Sequence, residues 1–124
     1  MQKFFLLSGS FLGLLSVAIG AFGAHALKAT LEANQRLDTF ELAVKYQFYH
    51  ALALLGIGIL ANQFKTNAFD TAGYTFIAGV LIFSGSLYIL SLTNMRWLGA
   101  VTPIGGTAFL VGWIALMWAV WQAK

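Results

Sequence analysis

Residues 71–95 read TAGYTFIAGVLIFSGSLYILSLTNM, twenty-five positions without a Lys, Arg, Asp or Glu. As a helix this stretch is long enough to cross a hydrocarbon core of roughly 30 Å, which takes about 20 residues at a rise of about 1.5 Å each. Its backbone amides would have to bond within the segment, because lipid offers them no partner. A barrel strand would alternate apolar and polar positions, and Val80-Leu81-Ile82-Phe83 does not alternate.

Three further runs have the same character. Residues 4–27, 46–64 and 97–123 are free of all four charged residue types over 24, 19 and 27 positions. The whole chain of 124 residues holds only eleven such charges, 9% of the total, against 60% hydrophobic residues. A soluble domain carries about 25% charged residues, and a chain this short could not bury so much apolar surface by itself. Disorder is excluded by the same composition. The absence of cysteine excludes a disulfide scaffold, a thiolate metal site and a cysteine nucleophile. The reading is an all-α integral membrane four-helix bundle in a single domain, with spans over 4–25, 39–62, 71–94 and 98–121.

The first run follows Lys3 and ends in Ala24-His25-Ala26, which resembles a signal peptide with a cleavage site. It is longer than a usual signal core and reads instead as the first membrane helix. Counting Lys and Arg on the two sides gives three (Lys3, Lys65, Lys124) against four (Lys28, Arg36, Lys45, Arg96). The amino terminus evens the count, so the positive-inside rule sets no orientation. The net charge of +3 needs no nucleic acid, since basic residues at helix ends suit anionic lipid headgroups. Membrane lipids are the expected partners.

The loop over 28–45 has structure of its own. Asp38-Thr39-Phe40-Glu41 has the form of an N-cap with a reciprocal acid. Leu37, Phe40, Val44 and Phe48 fall on one helical face, and Glu41 and Lys45 sit at i, i+4 in the favourable order. The second span therefore begins outside the lipid core, near Thr39. Residues 26–34 form a short interfacial helix, broken by Asn34-Gln35-Arg36.

Gly9, Gly13, Ser16, Gly20 and Gly23 recur at intervals of four and three and make a smooth groove along the first span. Small residues let backbones approach closely in lipid. Packing inside the bundle is the first reading of this stripe, and a homo-oligomer face is the second. Several of the tryptophans and tyrosines stand near helix ends as interface anchors; Trp113 lies too deep for that role and reads as packing.

His25 and His50 are, tyrosines aside, the titratable side chains within the uncharged runs. An ionisable group in a membrane is by default a functional candidate, although hydrogen bonds to a carbonyl or a tyrosine would also account for both. Counted from the charged stretch, His50 lies one turn inside the second span and His25 at the exit of the first, so the two should share a rim. Tyr46 and Tyr49 flank His50. Ser84 and Ser86 lie on the third span, where their hydroxyls can bond across helices or back to the i−4 carbonyl and helix packing is their simplest role. Thr102, Pro103, Gly105 and Gly106 open the fourth span, either as an ordinary first turn, which welcomes proline, or as a broken helix with amides free for an anion. With an even number of crossings these groups would converge, and a pocket would open toward the 28–45 loop, lined by His25, Glu41, Lys45, Tyr46, Tyr49, His50, Ser84, Ser86, Thr102, Pro103, Gly105 and Gly106.

Four blocks then carry a resemblance. Gly20-Ala21-Phe22-Gly23-Ala24-His25-Ala26-Leu27, Tyr46-Gln47-Phe48-Tyr49-His50-Ala51-Leu52-Ala53, Phe83-Ser84-Gly85-Ser86-Leu87-Tyr88 and Thr102-Pro103-Ile104-Gly105-Gly106 resemble the signature blocks of the YgdD/YwdK-like family of small bacterial inner-membrane proteins with four spans. The resemblance implies the architecture and a multi-pass place in the inner membrane. It implies no activity, cofactor or catalytic residue.

Three functions compete. The first is a non-enzymatic bundle that binds a lipid, a small ligand or a partner subunit at the His25/His50 end. The second is a small oligomeric transporter or channel for protons or a small solute, although no span carries an acid at its midplane. The third is an enzyme using His25, Glu41 and His50 as acid–base groups or metal ligands, although their spacing matches no known metal motif. No cofactor is expected.

Overall fold

A computed structural model describes residues 2–123. Four helices are long and apolar enough to cross a membrane: Gln2–Ala24, Leu37–Phe64, Asp70–Thr93 and Arg96–Gln122. They are called the first to fourth spans below. A short helix, Lys28–Ala33, joins the first two. The fourth span enters through a 3-10 turn at Arg96–Ala100 and continues as an α-helix from Thr102 to Gln122. No strand occurs among the described residues.

Three of the helices are followed by left-handed residues that are not glycine. Gln35, Lys65 and Asn94 have φ of 58°, 50° and 59°, after the short helix, the second span and the third span. The break at Asn34-Gln35-Arg36 is thus a turn through Gln35. The second span begins at Leu37 after Arg36, with no side chain bonding to its first amides. This corrects the expected N-cap at Asp38, which lies within the first turn, where its charge still suits the positive end of the helix dipole.

The second and third spans occupy the middle of the bundle. The first span packs on the second, and the fourth on the third. The apolar core is built from Phe5, Leu54, Ile57, Phe69, Phe76, Val80 and Phe109 with small residues between them. Rings on one helix sit over glycines on the next. A Cβ on Gly73 would fall 2.3 Å from the Phe5 ring, one on Gly79 2.4 Å from Phe109, and one on Gly112 2.5 Å from Phe76. In lipid such close contact replaces the hydrophobic effect as the force between helices.

The stripe on the first span serves this packing at most of its positions. A Cβ on Gly9 would meet the Ala51 carbonyl at 2.8 Å, and one on Gly23 would meet Phe40 at 2.3 Å. Ser16 is buried. Gly13 has nothing within 4 Å of its would-be Cβ.

The third span is not uniform. Val80–Ser84 forms a π-turn. It falls where two neighbours press on the span. The Ser84 hydroxyl donates to the Ala43 carbonyl of the second span at 2.7 Å. On the other side Gly105 lies against the Phe83 backbone, so close that a Cβ there would sit 2.3 Å from the Phe83 nitrogen. Single π-turns of this kind often mark functional sites.

Candidate functional site

The structure separates the polar residues into a core midway along the bundle and a groove at its rim. His50 belongs to the core. At a rise of about 1.5 Å per residue its ring stands ~20 Å along the axis from Leu37, in the middle of the second span. His25 is exposed in the turn after the first span, beside a shallow hollow lined by Ala18, Ala21, Phe22 and Ala26. The expectation that the two imidazoles share a rim is therefore corrected. The second span continues outward for two more turns beyond Lys45, so His50 lies deeper in the bundle than its distance from Lys45 suggests.

Both nitrogens of His50 are engaged. Its Nδ1 lies 2.7 Å from the Tyr46 carbonyl, and the Trp113 indole N–H donates to its Nε2 across 3.1 Å. A carbonyl only accepts and an indole only donates. The ring is therefore a neutral tautomer with its proton on Nδ1. Phe109 stacks on it at a centroid distance of 3.7 Å and an interplanar angle of 9°, and Phe76 meets it edge-on at 5.1 Å. Tyr46 stacks on Phe83 at 4.8 Å and completes the cluster. Second, third and fourth spans thus meet at one histidine.

A second polar connection runs through Gln47, which the sequence reading did not single out. The Tyr88 hydroxyl donates to Gln47 Oε1 at 2.6 Å, and Gln47 Nε2 donates to the Leu12 carbonyl at 3.0 Å. This ties the third, second and first spans in one line. Ser86 and Thr102 hydroxyls lie 2.7 Å apart and join the third span to the fourth. Every one of these groups is satisfied, as a polar group inside lipid must be.

Pro103 stands in the first turn of an unbroken helix through Gly105 and Gly106. The first-turn reading holds, and the broken helix with free amides is overturned. Gly105 is where it is because nothing larger fits against Phe83.

The rim groove lies between the first and second spans. Gly20, Gly23, Leu37, Phe40, Glu41, Val44 and Lys45 line a hollow of about 160 Å³. A second hollow of about 240 Å³, lined by Ser16, Val17, Val44, Lys45, Phe48 and Tyr49, shares Val44 and Lys45 and continues it toward the middle of the bundle. The small stripe leaves room for this groove. Glu41 and Lys45 are both exposed along it. The ion pair expected between them does not form: the pair present among the described residues is Lys28–Glu32 at 4.0 Å. Of the expected pocket residues, Glu41, Lys45 and Tyr49 come together here. Tyr46, His50, Ser84, Ser86, Thr102, Gly105 and Gly106 belong to the bundle interior or its fourth-span contact, and Pro103 is exposed. Among the described residues no three of His, Cys, Asp and Glu gather where they could hold a metal, so His25, Glu41 and His50 form no common centre.

At the same rim the connecting segments dock on the third span. Asn34 Nδ2 donates to the Ser91 carbonyl at 3.0 Å, and Arg36 Nε donates to Asn94 Oδ1 at 3.0 Å.

Comparison with known proteins finds relatives that are named membrane proteins. A family model described as a protein of unknown function (DUF423) matches residues 19–106. That interval encloses all four signature blocks. A UPF0382 membrane protein of Staphylococcus aureus (strain bovine RF122) is 43% identical over 121 residues, covering 98% of each chain. One from Staphylococcus haemolyticus is 45% identical over 116 residues, 94% of this chain and 93% of the relative. YwdK of Bacillus subtilis, also a UPF0382 membrane protein, is 42% identical over 117 residues, 94% of both. No solved structure matches.

Proposed function

The chain belongs to the DUF423 family, with UPF0382 membrane proteins as its relatives, and from that premise we propose that it is a non-catalytic protein that holds a membrane lipid in the groove between its first and second spans. The observation that carries this reading is the contrast between its two polar regions. Inside the bundle, polar side chains bond across helices to one another or to backbone carbonyls. Along the groove, Glu41 and Lys45 stand one turn apart beside an apolar channel and are engaged with no other described residue.

An acyl chain fits the apolar part, where Val17, Val44, Phe48 and Tyr49 present side chains and Gly20 leaves space. The headgroup falls beside Lys45 and Glu41. Lysine suits this place, because its stem lies along apolar surface while its ammonium reaches toward the headgroups. The compartment on this reading is the inner (plasma) membrane, since the spans are helices and not strands of an outer-membrane barrel.

Passage of protons or solutes has less support. His50 is the ionisable histidine at mid-membrane, and both of its nitrogens are already bonded within the bundle.

Native mass spectrometry of the full chain purified in mild detergent tests the proposal. The wild-type protein should retain a lipid. Gly20→Leu, which fills the groove, and Lys45→Gln, which removes the cation, should each lose it while keeping the wild-type helical content. Equal retention by the wild type and both variants would overturn the groove as the site.

A further inference from the structure

The charges in the groove follow a fixed order. From mid-membrane outward the second span presents Phe48 and Tyr49, then Lys45, then Glu41. Lys45 and Glu41 are four residues apart and so share a helix face, with Glu41 ~6 Å nearer the rim. A glycerophospholipid with an aminoalkyl headgroup carries its own groups in the matching order: acyl chain, then phosphate, then ammonium.

Resting on the lipid-groove reading, we propose that the site selects a zwitterionic phospholipid with a primary ammonium, the phosphatidylethanolamine class. The Lys45 ammonium meets the phosphate, and the Glu41 carboxylate meets the headgroup ammonium. Both contacts are charge-assisted hydrogen bonds, the stronger kind. A glycerol headgroup satisfies Lys45 and leaves Glu41 facing a net negative lipid. A choline headgroup has the right charges but no N–H to donate to Glu41. Reversing the two residues would set a carboxylate beside the phosphate, so the order itself discriminates.

The test is a melting-temperature titration of the delipidated full chain in detergent with phosphatidylethanolamine, phosphatidylglycerol and phosphatidylcholine of identical acyl chains. Phosphatidylethanolamine should stabilise at about tenfold lower concentration than either of the others, a difference of about 1.4 kcal/mol. Glu41→Gln should erase that preference and keep a response to all three. Glu41→Asp should retain it in part. Lys45→Gln should weaken the response to all three. Equal responses of the wild type to the three lipids, or a tighter response to phosphatidylglycerol, would overturn the selectivity and leave the groove reading standing. Retention of the preference by Glu41→Gln would do the same. No response to any lipid would remove the groove reading itself.

Discussion

Trp113 of the fourth span donates its indole N–H to Nε2 of His50 in the second, at 3.1 Å. This bond joins two helices that otherwise meet through stacked rings. Trp113→Phe keeps an aromatic side chain and deletes the donor, which leaves Nε2 buried without a partner. The expected cost is about 1–3 kcal/mol, read as a lower melting temperature in detergent. His50→Phe combined with Trp113→Phe removes both partners and should recover part of the loss. A double variant as unstable as the sum of its parts would count against the bond.

Gly105 should be the least tolerant of the glycines. Its would-be Cβ strikes the Phe83 backbone at 2.3 Å, and a backbone cannot swing aside as a ring can. Gly105→Ala should cost at least the roughly 1–3 kcal/mol typical of overpacking and should separate the fourth span from the π-turn. Gly85→Ala and Gly56→Ala meet nothing within 4 Å and should be neutral or slightly stabilising. A proteolysis or thermal-unfolding series over the three variants reads the contrast directly.

Tyr88→Phe removes the donor to Gln47 and leaves Gln47 still bonded to Leu12. Gln47→Leu breaks both links at once. The first should cost about 1 kcal/mol and the second more, since a hydroxyl and a carbonyl both lose a partner. Equal melting temperatures for the two variants would show that the line from the first to the third span does not act as a unit.

The Lys28–Glu32 pair should matter little. Its side chains are 58% and 55% exposed, and the atoms are 4.0 Å apart. Lys28→Ala should change stability by less than about 0.5 kcal/mol. A larger loss, measured in the same melting assay, would point to a role for the short helix beyond connecting two spans.

The crossing count is legible because it depends on local chemistry. Charge-free runs of span length mark the four membrane helices, and the expected spans 4–25, 39–62, 71–94 and 98–121 end within two residues of the observed bounds. The fourth span is the main exception: its α-helix starts at Thr102 after a 3-10 turn, a tightening that hydropathy does not register. The candidate site was legible in part. Glu41 and Lys45 stand out as charges at helical spacing near a small-residue stripe. Gln47 is an isolated amide at the start of an apolar run and carries no signal until its partners are known. Trp113 reads as packing because indole is mostly apolar surface.

Composition and charge spacing alone decide that this chain is a helical membrane protein with four crossings, since each depends only on what one segment costs to place in lipid. The depth of His50, its bond to Trp113, the seat of Gly105 on Phe83 and the groove charges, unpaired among the described residues, belong to the tertiary structure. They depend on how far each helix slides and turns against its neighbour. That offset is set by rings settling over glycines on another span, a fit between surfaces that no single segment contains.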